Sequence, residues 1–243
     1  MTGGMATIAG SVTASFIGRL GDERAPHLLA ASIMGAPAGL VMAKLLVPET
    51  EESKTKGEVK MPVEKTESSV VEAASKGAID GLHLAAIVGG LLIAFIALIS
   101  LVNYLLSLTG YIKGMPALSM QMILGWIFSP LTFLMGVPIQ DVQVVGGLLG
   151  QKIVLNEFVA YLDLAQILNQ SDAAGRALSE KGATIATFAL CGFANLSSIA
   201  INIGCVGGIA PERRSELAIL APKAMVAGAL ASCLTATIAG LLI

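Results

Sequence analysis

Gly192–Gly204 reads GFANLSSIAINIG, apolar by composition yet crowded with side-chain hydrogen-bonding groups. It sits in a run from Gly182 to Pro211 without a charged residue. That run exceeds the roughly 20 residues a helix needs to cross a bilayer. Asn195, Ser197, Ser198 and Asn202 lie in it among Gly192, Gly204, Gly207 and Gly208. Lipid satisfies none of these polar groups, so they must face protein or a watery cavity. Two readings stand. Small and polar residues let membrane helices approach closely, or they line a ligand site. Glu157, a carboxylate in the preceding apolar stretch, favours the second.

Composition sets the class around that stretch. The chain has 243 residues, 55% hydrophobic and only 13% charged, which marks an all-α polytopic membrane protein. A net charge of −2 leaves no basic patch for nucleic acid. Cys191, Cys205 and Cys233 lack the C-x-x-C spacing of a metal or redox pair and read as small packers. Neither His27 nor His83 has a suitably spaced partner, and no nucleophile–base pair or metal cluster stands out. An enzyme is not expected, nor a bound cofactor.

The chain divides into 1–47, 48–81, 82–114 and 115–243. Residues 3–17 are apolar, Gly-rich and short for a crossing, as in the second half of an interrupted helix. Residues 18–26 form a charged turn closed by Pro26, and 27–47 make a span containing Pro37. From Pro48 to about Lys76 come seven Glu, five Lys and no aromatic residue, a solvated loop with room for a helical turn near Val70–Ser75. Residues 82–108 are the cleanest span. In 115–138, Gln121, Gly125, Ser129 and Thr132 form one small or polar stripe, which fits a helix on the membrane surface about as well as a crossing. Residues 139–170 carry Lys152, Glu157 and Asp163 and are broken by Gly146, Gly147 and Gly150. A re-entrant hairpin with a glycine-rich tip buried in protein accommodates those charges. Lys152 is expected to pair with Glu157 or Asp163. After a polar connection, 183–209 form an interrupted helix and 217–243 a last span.

The two ends echo each other. Ala25-Pro26 is followed by Ala36-Pro37, and Ala210-Pro211 by Ala221-Pro222 at the same interval. Upstream, GMATIAGS (Gly4–Ser11) parallels GFANLSSI (Gly192–Ile199), with Thr7 opposite Asn195. With 139–170 as a hairpin and 115–138 lying flat, spans 27–47, 82–108 and 183–209 lie between the charged turns, and an odd number makes the repeats inverted, as in many secondary transporters. The same count places Lys44, the five loop lysines, Arg213 and Arg214 on one side. Arg19, Arg24, Lys113, Arg176 and Lys181 fall on the other. This bias makes the 48–81 loop cytoplasmic and the C-terminus outward.

LNEFVAYLDLA (Leu155–Ala165), CGFANLSSIAINIG (Cys191–Gly204) and APERRSELA (Ala210–Ala218) are similar to the C-terminal half of the concentrative nucleoside transporter family. MTGGMATIAGSV at the start and HLLAASIMGAPAGLVMAKLLVPETE (His27–Glu51) extend the resemblance over the whole chain. It implies Na+- or H+-coupled symport of nucleosides such as uridine, without further cofactor. It also implies a multi-pass homotrimer in the cell membrane, most naturally a bacterial inner membrane, with an elevator-like motion. The implied architecture includes a surface helix matching 115–138 and a re-entrant hairpin matching 139–170.

By that resemblance the ribose-binding glutamate falls on Glu157, and an aromatic, an amide and a hydroxyl on Phe193, Asn195 and Ser198. Val12 matches a contact to the base, while Thr7 and Ile8 match a hydroxyl and a carbonyl that help hold Na+. Ordinary packing stays open for Thr7 and Phe193. The family's first hairpin has no counterpart here, so the chain is expected to be a portion that does not transport alone. The rival expectation is a non-transporting fragment or assembly subunit of a split transporter.

Overall fold

The computed structural model describes residues 1–50, 69–112, 116–169 and 178–243. Among them every regular element is a helix. The chain forms two units, 1–48 with 106–243 and, separately, 49–105. In the first unit, α1 (Thr2–Ala6) and α2 (Gly10–Leu20) are followed by a one-turn helix at Asp22–Arg24 and by α3 (Ala25–Leu46). Helix α4 (Val70–Ser107) makes up nearly all of the described second unit. Then come α5 (Met120–Leu134), α6 (Val142–Val154), α7 (Glu157–Asn169), α8 (Glu180–Leu190) and α9 (Leu196–Ile209). A one-turn helix at Pro211–Arg213 leads into α10 (Arg214–Leu241).

Among the described residues, two stretches are long and apolar enough to cross a membrane, Asp22–Leu46 and Pro211–Leu241. Each begins with a charged single turn and holds an internal proline, Pro37 in α3 and Pro222 in α10. An internal proline removes one helical donor, which membrane helices tolerate where neighbours compensate. The two helices pack against each other, and α1 lies against both. The approach is close: a Cβ on Gly35 of α3 would come within 2.5 Å of the Ala6 carbonyl oxygen. One on Gly228 of α10 would come within 2.9 Å of the Met5 Cβ.

The main apolar core joins Phe16 of α2, Leu28 of α3, Leu149 of α6, Tyr161 and Leu164 of α7, Ile185 of α8 and Ala236 of α10. Helices α5 and α6 meet backbone to backbone. A Cβ on Gly125 would lie 2.6 Å from the Gln143 carbonyl oxygen, and one on Gly147 2.8 Å from that of Gln121. Thr132 closes the contact by donating to the Val142 carbonyl at 3.0 Å. Gln121, Gly125, Ser129 and Thr132, the small or polar stripe of the sequence, thus face α6. Trp126, Ile127 and Phe133 stay exposed.

Several expectations are corrected. Gly146, Gly147 and Gly150 are not a hairpin tip: they lie inside α6, and their missing side chains admit α5. The turn comes later, at Leu155–Asn156, where Asn156 Oδ1 accepts from the Val159 amide at 2.9 Å and starts α7. Residues 3–17 are not one half-helix but contain their own break, Thr7–Ala9. The charged loop does not run to residue 81, because α4 begins at Val70. Ser69 caps it by accepting from the Glu72 amide at 3.1 Å. Helix α8 begins at Glu180 and α10 at Arg214, each before the expected start. Most of the charged loop, Lys113 and Arg176 lie outside the described residues.

Candidate functional site

Among the described residues, a first helix interruption at Thr7–Ala9 lies nearer the surface, while a second at Leu155–Asn156 and a third at Cys191–Asn195 bring polar groups into the interior. Glu157 is the first residue of α7 and is 5% exposed. A helix N-terminus favours a carboxylate there, since its free amides and aligned peptide dipoles are positive. Asn195 is the N-cap of α9 and wholly buried. Its Nδ2 donates to Glu157 Oε2 at 3.1 Å, joining the second interruption to the third.

A reciprocal cap fixes Asn195. The Ser198 amide donates to Asn195 Oδ1 at 2.9 Å, and the Asn195 amide donates to Ser198 Oγ at 3.2 Å. The Ser198 hydroxyl donates to the Asn195 carbonyl at 2.6 Å. The Ser197 hydroxyl donates to Asn195 Oδ1 at 2.6 Å. With two donors on Oδ1, the amide nitrogen has one sensible direction, toward the carboxylate. Asn195 and Ser198 thus close the start of α9, and the Ser198 hydroxyl is spent on that closure.

The interruption begins at Cys191, whose carbonyl accepts from the Ser232 hydroxyl at 3.1 Å. Gly192 follows with φ of 155°, a conformation rare for other residues. A Cβ there would lie 2.6 Å from Ser232 Oγ and 3.2 Å from the Met5 carbonyl oxygen. The third interruption therefore abuts the end of α1, just before the first. Around Glu157, Tyr161 donates to the Thr187 carbonyl at 2.8 Å, and its ring lies 4.2 Å from Phe16 of α2. Farther out, Arg24 donates to Thr184 Oγ1 at 3.1 Å and to Glu180 Oε2 at 3.0 Å, tying the first charged turn to α8.

Hydrogen bonds thus bring Glu157, Asn195 and Ser198 together. Ile8 is buried in the main core, and Val12 packs against the same core from α2. Phe193 is half-buried inside the third interruption. Thr7 turns its hydroxyl back onto the Gly3 carbonyl at 2.9 Å. No hydrogen bond ties Thr7 to the Glu157 group among the described residues. The Ile8 carbonyl precedes that of Ala9, the first to accept in α2, from the Thr13 amide at 2.9 Å.

Lys152 is wholly buried but does not hydrogen-bond Glu157 or Asp163 as expected. It donates to the Ala189 carbonyl at 2.9 Å. Asp163 instead accepts from Gln151 Nε2 at 2.9 Å and Gln121 Nε2 at 3.5 Å. No spacing in the sequence announces either arrangement. No group of three or more His, Cys, Asp or Glu side chains able to hold a metal forms among the described residues.

The chain is similar to known proteins along its whole length. Residues 27–240 match the family described as Na+ dependent nucleoside transporter C-terminus. An uncharacterized transporter of Bacillus subtilis is 47% identical over 244 residues, covering 100% of this chain and 58% of that protein. The nucleoside permease NupC of Helicobacter pylori is 43% identical over 240 residues, covering 99% and 56%. The structure of CNTnw in an inward-facing substrate-bound state superposes with a TM-score of 0.85 at 44% identity, covering 99% of this chain and 55% of that one. The chain spans little more than half the length of each of these proteins. It belongs to the Na+-dependent nucleoside transporter family, whose C-terminal region it matches.

Proposed function

We propose that the chain is the C-terminal portion of a cation-coupled nucleoside symporter, with Glu157 and Asn195 holding the sugar. One observation carries this reading: a buried carboxylate at a helix N-terminus, fixed by a buried amide across two chain interruptions. Asn195 engages only Oε2 in that bond. A carboxylate has further lone pairs and can accept from both vicinal hydroxyls of a ribose in charge-assisted bonds. Ser198 then acts through Asn195, by holding its amide. Phe193 and Val12 supply apolar contact to the base.

The coupling cation, Na+ or H+, is assigned to the first interruption. The Thr7 oxygen keeps lone pairs while its proton serves Gly3, and the Ile8 carbonyl lies ahead of the α2 ladder. Hard cations take such oxygens. Helices α6 and α7 act as a re-entrant hairpin, and α1–α3 and α8–α10 as inverted repeats in a multi-pass protein of the bacterial inner membrane, assembled as a homotrimer. The reading is supported by the family's nucleoside transporters and by the repeated pattern of interruption, charged turn and proline-bearing helix.

Replacing Glu157 by Gln in the full-length gene product tests it. Loss of the charged acceptor is expected to weaken uridine binding by about 1.5–3 kcal/mol while the protein stays folded in the membrane. Wild-type uridine uptake by this variant would refute the assignment.

A further inference from the structure

Lys152 has no part in the ligand reading above, yet it is wholly buried, on the last turn of α6. Leaving a charged group inside a protein is expensive unless it is paired and hydrogen-bonded, and an apolar side chain of similar volume often serves stability equally well. Its surroundings are specific. The ammonium donates at 2.9 Å to the carbonyl of Ala189, in the last turn of α8. In a continued helix the Phe193 amide would reach that carbonyl, but Phe193 lies in the interruption. The end of a helix is also its negative pole, which favours a cation.

Of the groups around Lys152, the Cys191 and Cys233 thiols are neutral and the Glu157 carboxylate supplies the opposing charge. Glu157 feels the ammonium in turn. Lys152 precedes the Leu155–Asn156 break and Glu157 follows it. Each is bonded across to one side of the Cys191–Asn195 interruption, Lys152 to Ala189 before it and Glu157 to Asn195 after it. The Tyr161 hydroxyl adds a third tie, to Thr187 of α8.

We propose that Lys152 is a positioning residue: its ammonium holds the end of α8 against α6 and balances the Glu157 carboxylate, keeping Glu157 and Asn195 in register across the two interruptions. The consequence for ligand binding rests on the nucleoside reading; the coupling between the two charges does not.

A double-mutant cycle on the full-length gene product separates the two. The purified wild type, Lys152→Met, Glu157→Gln and the double variant are compared for thermal midpoint and for uridine Kd. Lys152→Met is expected to lower the midpoint and weaken uridine binding about tenfold. In the Glu157→Gln background, the same change should lower the midpoint by less and leave the residual affinity unmoved, because only the Ala189 bond remains to be lost. A purely structural lysine would give additive effects in both, and that result overturns the proposal. Lys152→Gln keeps a donor for the Ala189 carbonyl without the charge, and it serves if the Met variant does not fold. It is expected to lose affinity as the Met variant does, and wild-type behaviour would overturn the charge balance. Should the wild type bind no uridine, the nucleoside reading fails while the midpoint cycle still decides: coupling sustains the proposal and additivity ends it.

Discussion

The interruptions at Thr7–Ala9 and Cys191–Asn195 each lie upstream of a charged single turn and a proline-bearing helix, and they are built in opposite ways. The later one satisfies itself. Its carbonyl at Cys191 takes the Ser232 hydroxyl, its asparagine closes a reciprocal cap, and its spare amide donor goes to Glu157. The earlier one has no side-chain cap on α2, and its single hydroxyl bonds four residues back within its own helix. Gly3, Gly4, Ala9 and Gly10 around it are exposed, whereas Ala194, Asn195 and Ser198 are wholly buried. A closed interruption suits a fixed organic ligand, which needs preset donors and acceptors. An open one suits a cation, which gathers oxygens on arrival.

The sharpest way to break this contrast is Asn195→Ala. It removes the bond to the carboxylate, worth about 1.5–3 kcal/mol, together with a helix cap worth about 1 kcal/mol. Chemical denaturation of the purified full-length protein should show the summed loss, and a change under 1 kcal/mol would mean that the later interruption is not held by its polar network. Next is Gly192→Ala, which places a side chain at φ of 155° and against Ser232. About 1–3 kcal/mol of destabilisation is expected from the backbone alone. An unchanged thermal midpoint would show that the interruption relaxes freely. The smallest effect belongs to the earlier interruption. Thr7→Val keeps the shape and removes one hydroxyl bond, for about 0.5–1.5 kcal/mol of stability at most. Its mark should instead be a higher Na+ concentration for half-maximal uridine uptake, and an unaltered Na+ requirement would take Thr7 out of the cation site.

Much of the fold was legible because charged turns and prolines punctuate it. Pro26, Pro37, Pro211 and Pro222 locate α3 and α10 within a few residues. The hairpin break was misplaced because glycine was read by its backbone freedom. In closely packed helices glycine serves by the side chain it lacks, as Gly125 and Gly147 do. Asn156 and Ser69 were the better signals. Each is an N-cap residue, and Ser69 has glutamate three positions on at Glu72. The same rule applies to Asn195 and Ser198: a spacing of three marks a capping box as readily as a shared helix face. For Lys152 no local signal existed. Its partner lies thirty-seven positions away along the chain, and only folding brings the Ala189 carbonyl within reach.

The glycine face between α5 and α6 also bears on how the protein is made. The two helices follow one another in the chain, joined by residues 135–141, which turn at Gly136 with φ of 84°. Contacts between such neighbours close a short loop and form quickly, whereas those of α1 with α10 must wait for nearly the entire chain. During synthesis α5 and α6 can therefore pair before α8, α9 and α10 exist. The later helices then assemble on a surface already in place, with Gln151, Lys152 and the start of α7 presented together. Order of emergence from the ribosome thus becomes order of assembly around Glu157.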